Sequence, residues 1–157
     1  MSILKIIANP DPALRRRSKE LGKQDIDNPA FESLIANMVE TMLAKDGVGL
    51  AAPQIGHNIR LIVVNTKDGV LPMINPVISN KSLSKEWDEE GCLSVPNTFG
   101  LVKRHKKIRC QFLSLDGQAK RIEAKGLLAR VIQHETDHLD GILFIDKAKD
   151  IHEINTL

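Results

Sequence analysis

Aromatic residues are scarce in this sequence, and their scarcity is the first limit on what the protein can do. They make up 3% of the 157 residues, and tyrosine is absent. Proteins that bind single-stranded nucleic acid without sequence preference stack the bases on aromatic side chains. We therefore expect no base-stacking surface. The formal net charge of +2 gives no separate reason to expect a nucleic-acid site.

Cysteine and long apolar runs are also lacking. The two cysteines, Cys92 and Cys110, are too few for a disulfide framework and favour a reducing compartment. The apolar run in the opening stretch MSILKIIANPDP is too short for a signal peptide. No later run approaches the roughly 18 residues of a membrane helix. We therefore expect a soluble protein of the cytoplasm.

The chain does have the length and composition of a globular domain. Hydrophobic residues make up 42% and charged residues 27% of it, an ordinary balance for a folded protein. We find no internal repeat, low-complexity tract or linker. The length suits a sizeable core, so we expect one domain over residues 1–157.

Hydrophobic spacing predicts a helix in the first third of the chain and another near its end. Apolar residues recur every three or four positions over 28–47, where Asn28 and Pro29 suit a helix start and Gly47 lies just past the end. The same spacing returns over 126–141 and stops at Gly141, as expected for a glycine that ends a helix.

Short runs of β-branched residues between the two helices predict strands. Two lie at 60–65 and 72–79. The segment 107–125 divides into two more around Asp116-Gly117, which is a hairpin signal. This order predicts an α+β fold, with antiparallel sheets packed around the late helix.

Two histidines and a glutamate lie within the late helix, in the stretch QHETDHLDGILF. Because His134 and His138 are four residues apart, a helix brings them together and lets them share one cation. Glu135 is placed to act as a general base, as in the HExxH pattern of metal hydrolases. On this motif alone, a polar helix with coincidental histidines remains an alternative.

A metal site of this kind needs a third protein ligand. One zinc-protease pattern supplies it as HExxHxxGxxH, but Phe144 stands at the last position and cannot bind a metal. Cys92, in EEGCLSVP, is the best candidate because a thiolate is a strong ligand for Zn²⁺ or Fe²⁺. A lone cysteine is more often a small buried hydrophobe, as we expect Cys110 to be. The other histidines, predicted at loop or surface positions beside charges, are weaker candidates: His57, His105 and His152.

The glycine-rich stretch DGVGLAAPQIG at 46–56 is the third unusual segment. It contains no GKS or GKT and is therefore not a P-loop, and its spacing differs from GxGxxG. Gly47 and Gly49 allow close approach of another backbone or a ligand. Gln54 carries an amide that can donate a hydrogen bond to a developing oxyanion. An ordinary turn after the first helix is the alternative interpretation.

Taken together, the three segments resemble the motifs of the peptide deformylases. That family carries GxGxAAxQ, EGCxS and HExxH in this order, and the present chain has GVGLAAPQ at 47–54, EGCLS at 90–94 and HETDH at 134–138. The similarity extends from NPDPALRR to GILFID. The resemblance implies a hydrolase that removes the N-formyl group from the N-terminal methionine of newly made polypeptides and releases formate.

The resemblance also implies roles for individual residues. One divalent metal ion would activate a water for attack on the formyl carbon; Fe²⁺ is the expected physiological ion, with Zn²⁺, Ni²⁺ or Co²⁺ as substitutes. Its ligands would be Cys92, His134 and His138. Glu135 would serve as general base and then acid, and Gln54 and the backbone N–H of Leu93 would stabilise the oxyanion. The implied substrate-binding residues are Gly47, Val48, Gly49, Glu90, Gly91, Leu127, Arg130 and Val131.

Two residues depart from the usual family pattern. Arg130 lies one turn before His134, where relatives often carry an aliphatic residue. We expect its stem to cover the helix while its charge reaches solvent; the alternative is a more polar rim that favours acidic residues after the formyl-methionine. Phe99 stands where some relatives carry arginine, which would change contacts to the substrate backbone.

The implied partners are N-formylmethionyl peptides and nascent chains, with no membrane and no specific nucleic-acid site. Ribosome association is compatible with the resemblance, but we expect no basic C-terminal helix of the kind that longer bacterial relatives dock there. The basic segment KRHKKIR at 103–109 is predicted to be a solvated strand edge, because lysines commonly protect edge strands. Attraction to RNA is the alternative.

Two other functions fit parts of the sequence. A metallopeptidase could use the same HExxH on ordinary peptide bonds, and a binding domain could keep the metal without turnover. Glu135 and Gln54 argue against the second, since metal binding alone needs neither. The sequence leaves open the resident metal, the oligomeric state, the preference after methionine, and a cellular or viral origin.

Overall fold

The computed structural model describes residues 2–154, in which eight strands form two antiparallel sheets around one long helix. The longer elements follow in chain order: α1 (Lys23–Ile26), α2 (Pro29–Ala44), β1 (Gly49–Ala51), β2 (Leu61–Thr66), β3 (Gly69–Lys81), β4 (Lys85–Cys92), β5 (Val95–His105), β6 (Lys107–Leu113), β7 (Ala119–Lys125), α3 (Gly126–Leu139) and β8 (Lys149–Glu153). Short 3₁₀ turns lie at Pro12–Arg15, Ala52–Ile55 and Phe144–Asp146.

The sheets have different sizes and share α3. One has the order β1-β2-β3-β6-β7 and the other β4-β5-β8, and every neighbouring pair is antiparallel. The buried face of the larger sheet packs its apolar side chains on Ala129 and Ile132 of α3. The predicted α+β fold, with antiparallel sheets around a late helix that carries HExxH, is confirmed.

The first predicted helix is confirmed, with a small correction at its end. The Asn28 side chain accepts a hydrogen bond from the Ala30 N–H, and Pro29 occupies the first turn. The buried face of α2 covers the opposite side of the larger sheet at its β1-β2 end. The residue in left-handed conformation after the helix is Asp46, with φ 55°, and not Gly47. An aspartate tolerates this conformation better than most residues, so a glycine is not required there.

The predicted strands and the hairpin are also confirmed. Segments 60–65 and 72–79 fall in β2 and β3, and β6 and β7 pair across a turn in which Gly117 has φ 79°. Cys110 lies in the core, as expected, and burial raises the pKa of its thiol to about 11. A thiol with that pKa is unreactive near neutrality.

The basic segment 103–109 is not a solvated strand edge along its whole length, and the prediction was wrong for most of it. Residues 103–105 end β5, where they pair with β4 beyond the part of β5 that pairs with β8. Residues 107–109 begin β6, which lies between β3 and β7. Arg104 is buried, with 4% of its surface exposed. His105 is half-buried at the end of β5, with its ring Nδ1 2.7 Å from the Ser82 carbonyl.

Helix α3 ends in a turn that fixes the direction of the chain beyond it. The Gly141 N–H bonds the His138 carbonyl at 3.1 Å, and the Ile142 N–H bonds the Asp137 carbonyl at 3.0 Å. This double closure is the Schellman motif. Gly141 has φ 73°, and a Cβ there would lie 2.5 Å from the Arg15 carbonyl oxygen. The predicted role of Gly141 in ending the helix is therefore confirmed.

No helix among residues 2–154 is both long enough and apolar enough to cross a membrane. Residues 155–157, which the single-domain prediction includes, lie outside the described part of the chain.

We expect Gly141→Ala to lower the free energy of unfolding by about 2–4 kcal/mol, because it adds a clash to an unfavourable φ. Gly117→Ala is the matched control, since Gly117 has a similar φ but a Cβ there would meet nothing within 4 Å. The control should lose only about 1–2 kcal/mol. Urea denaturation at equal metal loading measures both, and equal losses would contradict the proposed clash.

Candidate metal centre and active site

Three side chains that can bind a metal converge where β4 ends beside α3. The ligand atoms of Cys92, His134 and His138 all lie within 4.8 Å of one another. The Cys92 Sγ is 3.3 Å from the His138 Nε2, close to the roughly 3.6 Å between sulfur and nitrogen ligands of a tetrahedral ion. One thiolate and two imidazoles in this arrangement fit one divalent metal ion.

The orientation of His134 is set by a buried carboxylate. Its Nδ1 lies 2.8 Å from the Glu90 Oε1, which leaves Nε2 directed to the metal position. A carboxylate on the far ring nitrogen fixes the tautomer of a metal-binding histidine and increases its basicity. The ring of His138 lies edge-on, with its centroid 5.1 Å from that of His134. Its Nδ1 is buried and has no hydrogen-bond partner among the described residues.

Glu90 is itself held by two arginines. Arg104 donates from Nε and Nη2 to both carboxylate oxygens at 2.9 Å, and the Arg130 Nη1 donates to Oε2 at 2.7 Å. Burial alone would raise the pKa of Glu90. The hydrogen bonds from Arg104 and His134 outweigh this effect and hold the pKa well below its usual range. Glu90 therefore stays ionised beside His134.

The ion network continues along α3. Arg104 also donates from Nη1 to the Asp137 carboxylate at 2.6 Å, and the Lys147 Nζ lies 3.0 Å from the same oxygen. Reasoning from the sequence missed Arg104 because it assigned the whole basic segment to solvent. A usable signal existed, since Arg104 lies two residues after the apolar Val102. Strand alternation places both side chains on the same buried face.

Arg130 does not extend into solvent, and that expectation was wrong. It is 6% exposed, and its guanidinium donates to the Val102 and Glu86 carbonyls, each at 2.9 Å, as well as to Glu90. Glu90 compensates its charge inside the protein. The geometry therefore gives no support to the alternative of a free cationic rim.

Glu135 lies next to the ligands and has unused hydrogen-bonding capacity. Its Oε1 is 4.0 Å from the His134 Nε2, and its Oε2 is buried with no partner among the described residues. Burial raises the pKa of Glu135 to about 7. A carboxyl group with this pKa can both accept and return a proton near neutral pH.

Gln54 presents its amide N–H groups to the same place. In the 3₁₀ turn Ala52–Ile55, its Oε1 accepts from the Ala51 N–H at 2.9 Å. Its Nε2 donates to the Ser94 Oγ at 3.0 Å and lies 3.6 Å from the Cys92 Sγ. These contacts fix the amide orientation, with nitrogen rather than oxygen beside the metal ligands.

Two glycines make this packing possible. A Cβ on Gly49 would lie 2.8 Å from side-chain atoms of both Val131 and Glu135, so only a glycine lets β1 pass this close to α3. A Cβ on Gly91 would lie 2.7 Å from the Phe99 ring. A register shift between Gly91 and Cys92 then turns β4 towards the helix.

A cleft of about 550 Å³ opens onto these groups. It brings together all the predicted site residues except two. His138 lies buried behind the wall, and Leu127 is 65% exposed in the first turn of α3 and does not line the cleft. The predicted residues in the lining are Gly47, Val48, Gly49, Gln54, Glu90, Gly91, Cys92, Leu93, Arg130, Val131, His134 and Glu135. Sequence reasoning missed four further lining residues, which lie beside the motifs without being part of their defining patterns: Asp46, Glu89, Pro96 and Asn97.

The sequence profile of the family described as Polypeptide deformylase matches residues 3–153. The chain belongs to this family. It is 48% identical over 154 residues to the peptide deformylase of Pelotomaculum thermopropionicum, covering 98% of this chain and 97% of the relative. The predicted activity, a metal-dependent hydrolysis that removes an N-formyl group, is thereby confirmed.

Solved structures of the family have the same fold. A class I type b peptide deformylase from Acinetobacter baumannii superposes with a TM-score of 0.91 at 34% identity, over 94% of this chain and all of that one. A peptide deformylase from Synechococcus elongatus, in complex with actinonin, gives a TM-score of 0.88 at 39% identity, over 94% of this chain and 79% of that one.

We expect Glu90→Gln to weaken metal binding about 10- to 100-fold, because an amide cannot replace the carboxylate that orients His134. Glu123→Gln is the matched control, since Glu123 also pairs with an arginine, Arg109, at 2.7 Å, but on the exposed face of β7. Anaerobic competition with a chromogenic chelator measures both variants, with circular dichroism to confirm folding. A folded Glu90→Gln variant with native metal affinity would show that Glu90 does not position the ligand.

Proposed function

We propose that residues 1–157 act as one catalytic domain, which deformylates the N-terminal methionine of nascent polypeptides in the cytoplasm with Fe²⁺ as the resident metal. The observation that carries this proposal is the convergence of Cys92, His134 and His138 beside Glu135 and Gln54, at the base of a cleft. The bacterial origin of the relatives supports the proposed location, as does a substrate that is made at the ribosome.

Cys92, His134 and His138 would hold the metal. When bound, the ion would lower the pKa of a coordinated water and polarise the formyl carbonyl. A mixed sulfur and nitrogen ligand set suits Fe²⁺ and also accepts Zn²⁺, Ni²⁺ or Co²⁺. A thiolate ligand is prone to oxidation, which agrees with the proposed reducing compartment.

Glu135 is proposed to move the proton. Its unpartnered Oε2 and its raised pKa suit a group that takes a proton from the attacking water and then delivers it to the leaving amine. The carboxylate of Glu90, in contrast, is fully engaged and stays charged, so it is not a candidate for proton transfer.

Gln54 and the Leu93 N–H are proposed to stabilise the negative oxygen that develops on the formyl group. The Gln54 amide is already oriented by Ala51 and Ser94 and needs no rearrangement. One donor of this kind is typically worth about 2.7–4 kcal/mol. Leu93 directly follows Cys92, so its N–H lies beside the metal ligand in the chain.

The free edge of β1 is proposed to bind the substrate backbone. β1 is the last strand of its sheet, and Gly47, Val48 and Gly49 line the cleft beside it. A peptide can add to such an edge as a further strand. Val131, with Glu90, Gly91 and the stem of Arg130, would form the wall for the methionine side chain.

The decisive test compares formylated and unformylated forms of one Met-peptide. The anaerobically purified, metal-loaded protein should release formate from the first and leave every internal peptide bond of both intact. Metal analysis of the same sample tests the proposed Fe²⁺. Internal cleavage without formate would instead support a general metallopeptidase.

Glu135→Gln should reduce the turnover number by at least about 100-fold and keep the metal, because the amide cannot carry the proton. The comparison requires metal content at native stoichiometry, measured in the same preparation. Full activity in this variant would remove Glu135 from the mechanism.

Gln54→Glu should lower the turnover number by about 10²- to 10³-fold, because it removes both amide N–H donors. It retains an oxygen for the Ala51 N–H, so the local turn is preserved. Gln118→Glu makes the same change of charge in the exposed β6–β7 turn and should leave turnover unchanged. If only the Michaelis constant rises in Gln54→Glu, the amide binds substrate without stabilising the oxyanion.

A further inference from the structure

The outer face of the larger sheet carries a cluster of positive charge that the deformylation reaction does not use. Ile108 and Cys110 of β6 point into the core. Strand alternation therefore places Lys107 and Arg109 on the opposite, outer face. Arg121 and Lys125 lie on that same face of β7, by register with β6. We call these four residues the basic face. Lys81 of β3 pairs in register with Ile108, so alternation does not place it on this face, but it lines the same depression.

Like charges are directly opposed on this surface. Lys107 and Lys125 are cross-strand partners, and like charges in this position destabilise a sheet. Within residues 2–154, no carboxylate lies within ion-pair distance of either lysine, nor of Lys81 or Arg121. An anion bound here would relieve this repulsion.

The basic face is also concave. Lys81, Lys107, Arg109 and Lys125 line one depression of about 520 Å³, in which Glu123 is the single acidic residue. Glu123 pairs with Arg109, whose Nε is buried without a hydrogen-bond partner in the described part of the chain. The depression therefore keeps a strong positive potential and an unused buried donor.

The charge is concentrated here and is not a property of the whole molecule. The chain as a whole has a net charge of +2, so the surface outside the basic face is net negative. The basic face shares no residue with the lining of the metal cleft. A bound partner would therefore leave the cleft open.

The chemistry of this surface favours the phosphate backbone of RNA over other polyanions. The apolar residues in the depression, Ile108 and Ala124, are buried, so nothing there can insert into a membrane or form the apolar centre of a protein interface. No aromatic residue lines it, which excludes base stacking. Cations alone bind phosphates without sequence preference.

We propose that the basic face binds folded RNA through its phosphate backbone, without sequence preference. This role is additional to the proposed deformylation and does not depend on it. It would hold the enzyme near RNA while the cleft takes up peptide.

The test compares two triple variants with the same change in net charge. One removes Lys107, Arg121 and Lys125 from the basic face by substitution with glutamine. The matched control makes the same change at three exposed lysines elsewhere in the chain: Lys5, Lys23 and Lys67. Fluorescence anisotropy of a labelled RNA hairpin measures binding to each metal-loaded protein over a series of salt concentrations.

The native protein and the control should bind alike, and the basic-face variant at least tenfold more weakly at about 50 mM salt. For this variant, the slope of the logarithm of the binding constant against the logarithm of the salt concentration should be shallower by about 3. That is roughly one for each cation removed. Formate release should be unchanged in both variants. The thermal midpoint of the basic-face variant should be no lower than native, because the opposed lysines are gone.

Three results would overturn the proposal. They are the absence of RNA binding by the native protein at low salt, equal weakening in both triple variants, and binding to phosphatidylserine vesicles in place of RNA. Loss of formate release in every protein, with RNA binding intact, would count against the proposed function alone.

Discussion

A buried carboxylate is the constraint on which the active site depends. An ionised group inside a protein is tolerated only when partners satisfy it on all sides, and Glu90 has three: Arg104 from β5, and Arg130 and His134 from α3. These contacts fix the β4–β5 hairpin against the helix. Because Cys92 follows Glu90 by two residues on the same strand, satisfying the charge also brings the thiol to the two histidines. Loss of Glu90 would leave the buried Arg130 charge uncompensated, so the network tolerates little change at this residue.

The two buried glutamates of the cleft have the same carboxyl group but different surroundings, and their surroundings give them different roles. Glu90 has cations on both oxygens and remains charged, which suits a residue that orients a ligand. Glu135 is buried without a strong partner, and burial raises its pKa to about 7, where a carboxyl group can exchange protons near neutral pH. The difference comes from neighbours on other elements. Gly49 contributes to it, because its lack of a side chain lets β1 pack directly against Glu135.

Much of this arrangement was predictable from local sequence, and its limits have a physical cause. Helical spacing, the Asp116-Gly117 turn and the C-terminal glycine of α3 are local signals, and each was confirmed. Because Phe144 cannot bind a metal, the third ligand was expected outside the helix, and Cys92 does lie beside the two histidines. The errors concern charge: Arg104 and Arg130 were assigned to solvent because their partner, Glu90, is 14 and 40 residues away. Burial of an arginine depends on such distant partners, which periodicity does not reveal. Leu127 is absent from the cleft lining, and its helical position in the sequence does not say where the cleft ends.

The ligands of the metal centre come from two separate parts of the fold, and this has a consequence for the lifetime of the protein. Cys92 belongs to the smaller sheet, and His134 and His138 belong to the helix. An ion bound by all three is a cross-link between layers that otherwise meet through packing, ion pairs and hydrogen bonds. Oxidation of one sulfur atom would open that cross-link. Inactivation and structural loosening would then be a single event, and a damaged molecule would become accessible to proteases when it stopped working.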